Sequence, residues 1–169
     1  MALSALVTAA LCILAPLSVP IGPVPITLSV LAICLFPYLV GAKLSALAVA
    51  LYLLIGALGL PVFSGFEGGL QKLLGPTGGY LLGYIPLAII GGAFIEGSKN
   101  PLWQFFGLLL GLTVCYALGT AWLCVYLKID LGSALSMAVL PFLPFDAIKL
   151  VLAVIIGRAA GKRLEFLKS

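Results

Sequence analysis

The chain has 169 residues, of which 63% are apolar and 8% charged, with a mean hydropathy of +1.30. That balance excludes a soluble domain and defines an integral membrane protein. The net charge of +4 is not a nucleic-acid signal, because much of it sits in one short tail.

A spanning helix needs about 20 mostly apolar residues. Residues 1–42 carry no charge and are split by Ser18-Val19-Pro20-Ile21-Gly22-Pro23-Val24-Pro25, which cannot continue a helix. This predicts a first helix over 2–17 and a second over 26–41. The N-terminus has no basic region and no clear cleavage motif, so no cleaved leader is expected. Lys43 marks the turn into a third helix, 44–60. A glycine-rich connection, Pro61 to Gly69, leads to a fourth helix over 74–95, closed by Glu96-Gly97-Ser98-Lys99-Asn100-Pro101. The fifth covers 102–127 and ends at Lys128-Ile129-Asp130. Residues 132–141 are apolar but too short to span, and read as a short interfacial or re-entrant helix. The sixth spanning helix starts at Pro144, a residue suited to a first turn, and runs to 163.

The Lys and Arg distribution sets an expected orientation. The tail holds Arg158, Lys162, Arg163 and Lys168, and the loops on the same side hold Lys43 and Lys99. The other side has only Lys72, Lys128 and Lys149. The positive-inside rule then places both termini in the cytoplasm. The expected fold is a single all-α membrane domain, a six-transmembrane-helix bundle. Loops 18–25, 61–76 and 128–143 gather at its outward-facing end.

Asp146 and Lys149 also fall at that end. At i and i+3 they share one helix face. A charge at the centre of a membrane segment costs roughly 2.5–3.5 kcal/mol on insertion scales, so an ion pair there is read first as a functional site. The bland alternative is a salt bridge that anchors the head of the last helix. Asp146 lies in the first turn, where the helix dipole favours an anion. The run Gly75-Pro76-Thr77-Gly78-Gly79-Tyr80-Leu81-Leu82-Gly83-Tyr84 has glycines at 75, 79 and 83. They suit close helix contact; bare backbone with Thr77 would equally suit a ligand cradle. Gly107 with Gly111, and Gly157 with Gly161, read as packing. Ala5 and Ala9 form a further small-xxx-small pattern.

Several chemistries are missing. Cys12, Cys34, Cys115 and Cys124 lie in apolar runs without CxxC spacing, and there is no His. Inert buried thiols are expected, with no metal site and no cofactor. No Gly-x4-Gly-Lys-Ser/Thr is present, so the chain should not hydrolyse nucleotides itself. Glu67 and Glu96 read as solvated loop residues. Little remains for an enzyme. An ion- or proton-coupled transporter is the alternative, but it needs further buried carboxylates or His along a path.

The stretches Ile21 to Leu28, Leu51 to Phe63, Gly75 to Gly83, and Leu140-Pro141-Phe142-Leu143-Pro144 followed by Asp146 and Lys149 give the chain a family likeness. It resembles BioY, the biotin-binding membrane subunit (S component) of energy-coupling factor transporters. The resemblance spans nearly the whole chain. It implies a six-helix bundle that binds vitamin near its outer surface in a prokaryotic cell membrane. It also implies docking on a transmembrane coupling subunit driven by two ATPases, with Ala5 and Ala9 matching the docking positions. Under that resemblance Asp146 would accept from the ureido N–H groups of biotin. Lys149 would orient Asp146, or meet the tail carboxylate or the ureido carbonyl. Thr77, Gln71, Gly78 and Gly79 would complete the polar contacts. Tyr80, Tyr84 and Phe63 would cover the apolar ring, with loop 18–25 as lid. The chain departs from the family pattern at Pro16, Ser29 and Phe145.

Overall fold

The computed structural model describes the backbone of residues 2–19 and 24–168 and the side chains of 4–19 and 24–161. Part of the expected lid, 20–23, and the side chains of Lys162, Arg163 and Lys168 lie outside the described residues. Among the described residues the regular structure is helical apart from one two-stranded ribbon. In order come α1 (Ala2–Leu14), β1 (Ser18–Val19), β2 (Ile26–Thr27), α2 (Ser29–Ala57), α3 (Leu70–Leu73), α4 (Gly78–Gly97), α5 (Pro101–Leu127), α6 (Leu131–Ala138) and α7 (Leu143–Lys168).

The boundaries have local causes. α1 stops at Leu14 rather than 17, because Pro16 disfavours helical backbone at the residue before it. The second helix begins at Ser29 rather than 26. Ile26 and Thr27 are instead paired antiparallel with Val19 and Ser18, which turns the proline-rich stretch into a small hairpin. The third expected helix ends at Ala57, not 60, where the chain turns through Gly59 at φ +101. The start expected at 74 divides into α3 and α4, separated by Gly75-Pro76. α5 is capped by Asn100, whose Oδ1 accepts from Leu102 N at 3.0 Å, with Pro101 in the first turn. α6 is capped by Asp130, whose Oδ2 accepts from Ser133 N at 3.0 Å. The Ser133 hydroxyl and amide hold the Asp130 carboxyl below its ordinary value. That contribution is present above the usual carboxylate range and is lost as pH falls through the lowered value.

α2 is not one straight rod. Gly41 breaks it with φ 82 and ψ 170, a conformation open to glycine. The Ala42 amide then donates to Glu96 Oε1 at 2.8 Å, so the acidic end of α4 caps the second half. Contacts on the two sides of Gly41 run in opposite directions. Tyr84 meets Thr27 and Ser29 at the head of the first half, and it also neighbours Tyr52 in the second. Gly92, two turns further along α4, abuts Ala42. The level of Tyr84 is therefore crossed once before the glycine and once after it.

The rest of the bundle assembles around this reversal. The second half of α2 runs beside α1, with Thr8 Oγ1 donating to Ala48 O at 3.3 Å and Cys12 neighbouring Tyr52. The first half runs beside α7, where Gly157 makes room for the Tyr38 ring. α4 and α5 share the largest interface and are antiparallel. Gly79 meets Trp122, Gly83 meets Cys115, Leu87 meets Gly111 and Gly91 meets Leu108. Lipid is as apolar as these side chains, so close backbone approach and dispersion, not water exclusion, hold such helices together. α2, α4 and α5 are each long and apolar enough to cross a membrane, and α6 with α7, bent by 55° at their break, is a fourth candidate.

A Cβ at Gly79 would stand 2.4 Å from Trp122 Cβ and 2.8 Å from Leu118 O. Gly79→Leu is therefore expected to part α4 from α5 and destabilise the protein by about 1–3 kcal/mol. Thermal unfolding in detergent measures this, and an unchanged melting temperature would contradict the packing described.

Candidate functional site

Asp146 and Lys149 sit in the first turns of α7. The helix is started by Leu143-Pro144 and places both on the face turned into the bundle. Asp146 is 3% exposed and Lys149 9%. Lys149 Nζ donates to Asp146 Oδ1 at 2.7 Å and to Thr27 O at 2.8 Å. Tyr116, from the middle of α5, donates its hydroxyl to Asp146 Oδ2 at 2.5 Å. Both carboxylate oxygens are thus held, one by a cation and one by a phenol. An ammonium has three donors and a carboxylate about four lone-pair sites, so each group keeps capacity for a ligand. Burying the pair requires this degree of hydrogen bonding, since desolvation of two charges otherwise exceeds their attraction.

The pair lines a narrow cavity of about 40 Å³, partly open to the surface. Its walls come from the β2 segment, α2, α4, α5, the α6–α7 elbow and α7. Val24, Val30, Leu112 and Phe142 supply apolar surface. Tyr80, Tyr84 and Tyr116 bring three phenol groups to it. Tyr80 is fixed by Thr120 Oγ1 at 3.1 Å and by the Ala138 carbonyl at 3.4 Å, which ties α4 to α5 and α6. Tyr84 lies close to Thr27 and Ser29. Apolar walls with a few placed polar groups are the usual lining of a small-molecule site.

Four of the sequence-derived candidates meet here: Asp146, Lys149, Tyr80 and Tyr84. The others lie outside the lining. Gly78 and Gly79 pack against Leu73, Leu118 and Trp122. Thr77 is the residue before α4, 5% exposed, with its hydroxyl buried and unpaired. Phe63 is fully buried, edge-on to Tyr52 at 5.4 Å, and fills the space left by Gly56. Gln71 stands on the short α3. Sequence reasoning missed Tyr116, Thr27 and Cys115. The available signal for Tyr116 was a hydroxyl group in the half of an apolar helix nearest the ion pair. Thr27 contributes its carbonyl, which no side-chain pattern reveals. On α1, Ala5 and Ala9 are exposed beside Leu6 and Ile13, while Ser4 and Thr8 are buried.

Below the ion pair the bundle is filled. Ile33, Cys34, Leu108, Leu150 and Ala153 are each at most 1% exposed. They separate this cavity from a second one at the opposite end, lined by Tyr38, Glu96, Gln104 and Arg158.

Fold and site together define a multi-pass membrane protein with a small, mostly apolar cavity walled on one side by a buried ion pair. The chain belongs to the BioY family, whose family model matches residues 1–166. It is 45% identical over 158 residues to a biotin transporter BioY of Thermotoga maritima, covering 94% of this chain and 92% of that one. It is 41% identical to a probable biotin transporter BioY of Pyrococcus horikoshii over 143 residues, covering 85% and 84%. A crystal structure of the S-component for biotin from an ECF-type ABC transporter superposes with a TM-score of 0.87 at 35% identity. It covers 94% of this chain and 88% of its own.

Lys149→Met leaves the Asp146 carboxylate without its cation and is expected to destabilise the protein by about 3–5 kcal/mol. Adding Asp146→Asn should recover most of that loss. Thermal unfolding of the two variants decides it, and additive losses would show that the two groups are uncoupled.

Proposed function

We propose that the chain captures biotin and mediates its uptake as the S component of an energy-coupling factor transporter, with ATP hydrolysed by partner subunits. The observation that carries this reading is the buried Asp146–Lys149 pair at the wall of a small apolar cavity in a chain of the BioY family. Biotin offers two ureido N–H donors, a carbonyl, an apolar ring and a carboxylate tail. The remaining lone pairs of Asp146 suit the ureido donors. The third proton of Lys149 suits the ureido carbonyl or the tail carboxylate. Tyr116 holds Asp146 in its acceptor role, and Tyr80 and Tyr84 flank the ring. Charge-assisted hydrogen bonds of this kind are about twice as strong as neutral ones. Gln71, Thr77, Gly78, Gly79 and Phe63 act from behind the wall in this reading, by shaping α4 and the adjoining loop.

The topology goes with it. Six membrane crossings are supported by the reversal at Gly41, which divides α2 into a descending and an ascending half between α1 and α4. The cavity then opens outward, and both termini lie in the cytoplasm of a prokaryotic cell. Lys43, Lys99 and Arg158 at the opposite end support that orientation. The exposed Ala5 and Ala9 on α1 support docking of a transmembrane coupling subunit at a flat, small-residue surface.

Equilibrium binding of biotin to the purified protein tests the ligand. Asp146→Asn should weaken it about 10- to 100-fold and Tyr116→Phe about 2- to 10-fold, following the loss of a charged or a neutral hydrogen bond. Full affinity in both variants would remove Asp146 and its Tyr116 partner from the site, and no binding by the parent would remove biotin. Cysteine substitution tests the orientation. An impermeant thiol reagent should modify Ser136→Cys on intact cells and Gly97→Cys only after lysis, and the reverse pattern would invert the topology.

A further inference from the structure

The second cavity has a chemistry that ligand capture at the other end does not use. It holds about 320 Å³, is partly open, and lies where α4 and the first half of α2 end and α5 begins, beside α7. Arg158 and Lys99 line it, together with Glu96, Gln104 and Tyr38. Gln104 is only 4% exposed and organises the floor. Its amide donates to Ser98 O at 2.7 Å. Its Oε1 accepts from the Tyr38 hydroxyl at 3.1 Å and from Arg158 Nη1 at 3.2 Å. Arg158 Nη1 also donates to the Lys99 carbonyl. One guanidinium nitrogen therefore fixes the group, and the others have no further protein acceptor among the described residues. The Lys99 ammonium forms no ion pair among the described residues. Glu96 spends Oε1 on the Ala42 amide. Two cations against one carboxylate leave a single positive charge.

We propose that this cavity seats the phosphodiester headgroup of an anionic membrane phospholipid. A phosphodiester carries one negative charge, and a guanidinium with free N–H groups is the preferred side chain for its oxygens. The surroundings select a lipid over a soluble anion. Trp103 is 52% exposed and stacks on Phe94 at 5.1 Å, the amphipathic aromatic pairing that marks a membrane–water boundary. On the Arg158 face of α7, one and two turns back, Ile155 is 61% and Val151 47% exposed, an apolar track for an acyl chain running away from the charge. Basic pockets between membrane helices on the cytoplasmic side hold lipid headgroups in this way. The inference does not depend on what the other cavity binds.

The test uses delipidated protein in a neutral detergent without biotin. Dioleoylphosphatidylglycerol, dioleoylphosphatidylcholine and glycerol 3-phosphate are titrated, with bound lipid read by native mass spectrometry. The glycerol lipid should bind best. Its affinity should fall about fivefold in Lys99→Gln and further in Lys99→Gln/Arg158→Gln. Lys99→Gln spares the Gln104 network, so its lipid-free melting temperature should match the parent and its result stands even if the double variant fails to fold. Unchanged phosphatidylglycerol affinity in Lys99→Gln overturns the proposal. So does equal binding of the choline lipid, and binding of glycerol 3-phosphate as tight as the lipid would assign a soluble anion instead.

Discussion

The contact between Lys149, Asp146, Thr27 and Tyr116 holds three separate parts of the chain at one point. Lys149 reaches across 122 positions of sequence to a backbone carbonyl next to the β-ribbon, and Tyr116 reaches in from α5. In a bundle whose interior resembles its lipid surroundings, apolar contacts do little to choose one arrangement over another. A buried charge pair does choose, because any arrangement that leaves either group unpaired is strongly disfavoured. The mouth of the cavity is therefore set by electrostatics, and the apolar walls conform to it.

Glycine has a second role in fixing the architecture. At Gly79, Gly83, Gly91 and Gly111 the absent side chain lets α4 and α5 approach until the neighbouring helix fills the space. At Gly41 the requirement is conformational, since the backbone adopts a positive φ with the next amide handed to Glu96. Glu96 thereby links the end of α4 to the reversal in α2. A carboxylate that reads in sequence as a solvated loop residue serves as a cap in the folded chain.

Much of the fold was legible because charges and prolines are scarce enough to punctuate the chain. Asn100-Pro101 and Lys128 to Asp130 mark the ends of α5 to within a residue. Pro16 and the Gly75-Pro76 step moved other boundaries by three or four residues, because a proline's effect on its predecessor and the pairing of Ile26 with Val19 are not periodic signals. Of the site, the ionisable pair and two tyrosines were legible, as polar groups in apolar helices need a reason to be there. Tyr116 was not singled out, because helix periodicity alone does not say which face of α5 meets α7. The glycines at 78 and 79 were ambiguous between packing and ligand contact; in the folded chain both lie against Trp122.

The filled layer of Ile33, Cys34, Leu108, Leu150 and Ala153 has a bearing on the resting cell. A close-packed layer with no carboxylate, amine or guanidinium is a barrier to protons and inorganic ions alike, since none finds a charged partner on the way through. An idle copy therefore does not short-circuit the electrical potential across the bilayer. Many copies can thus share one membrane without draining the gradients that other machinery lives on.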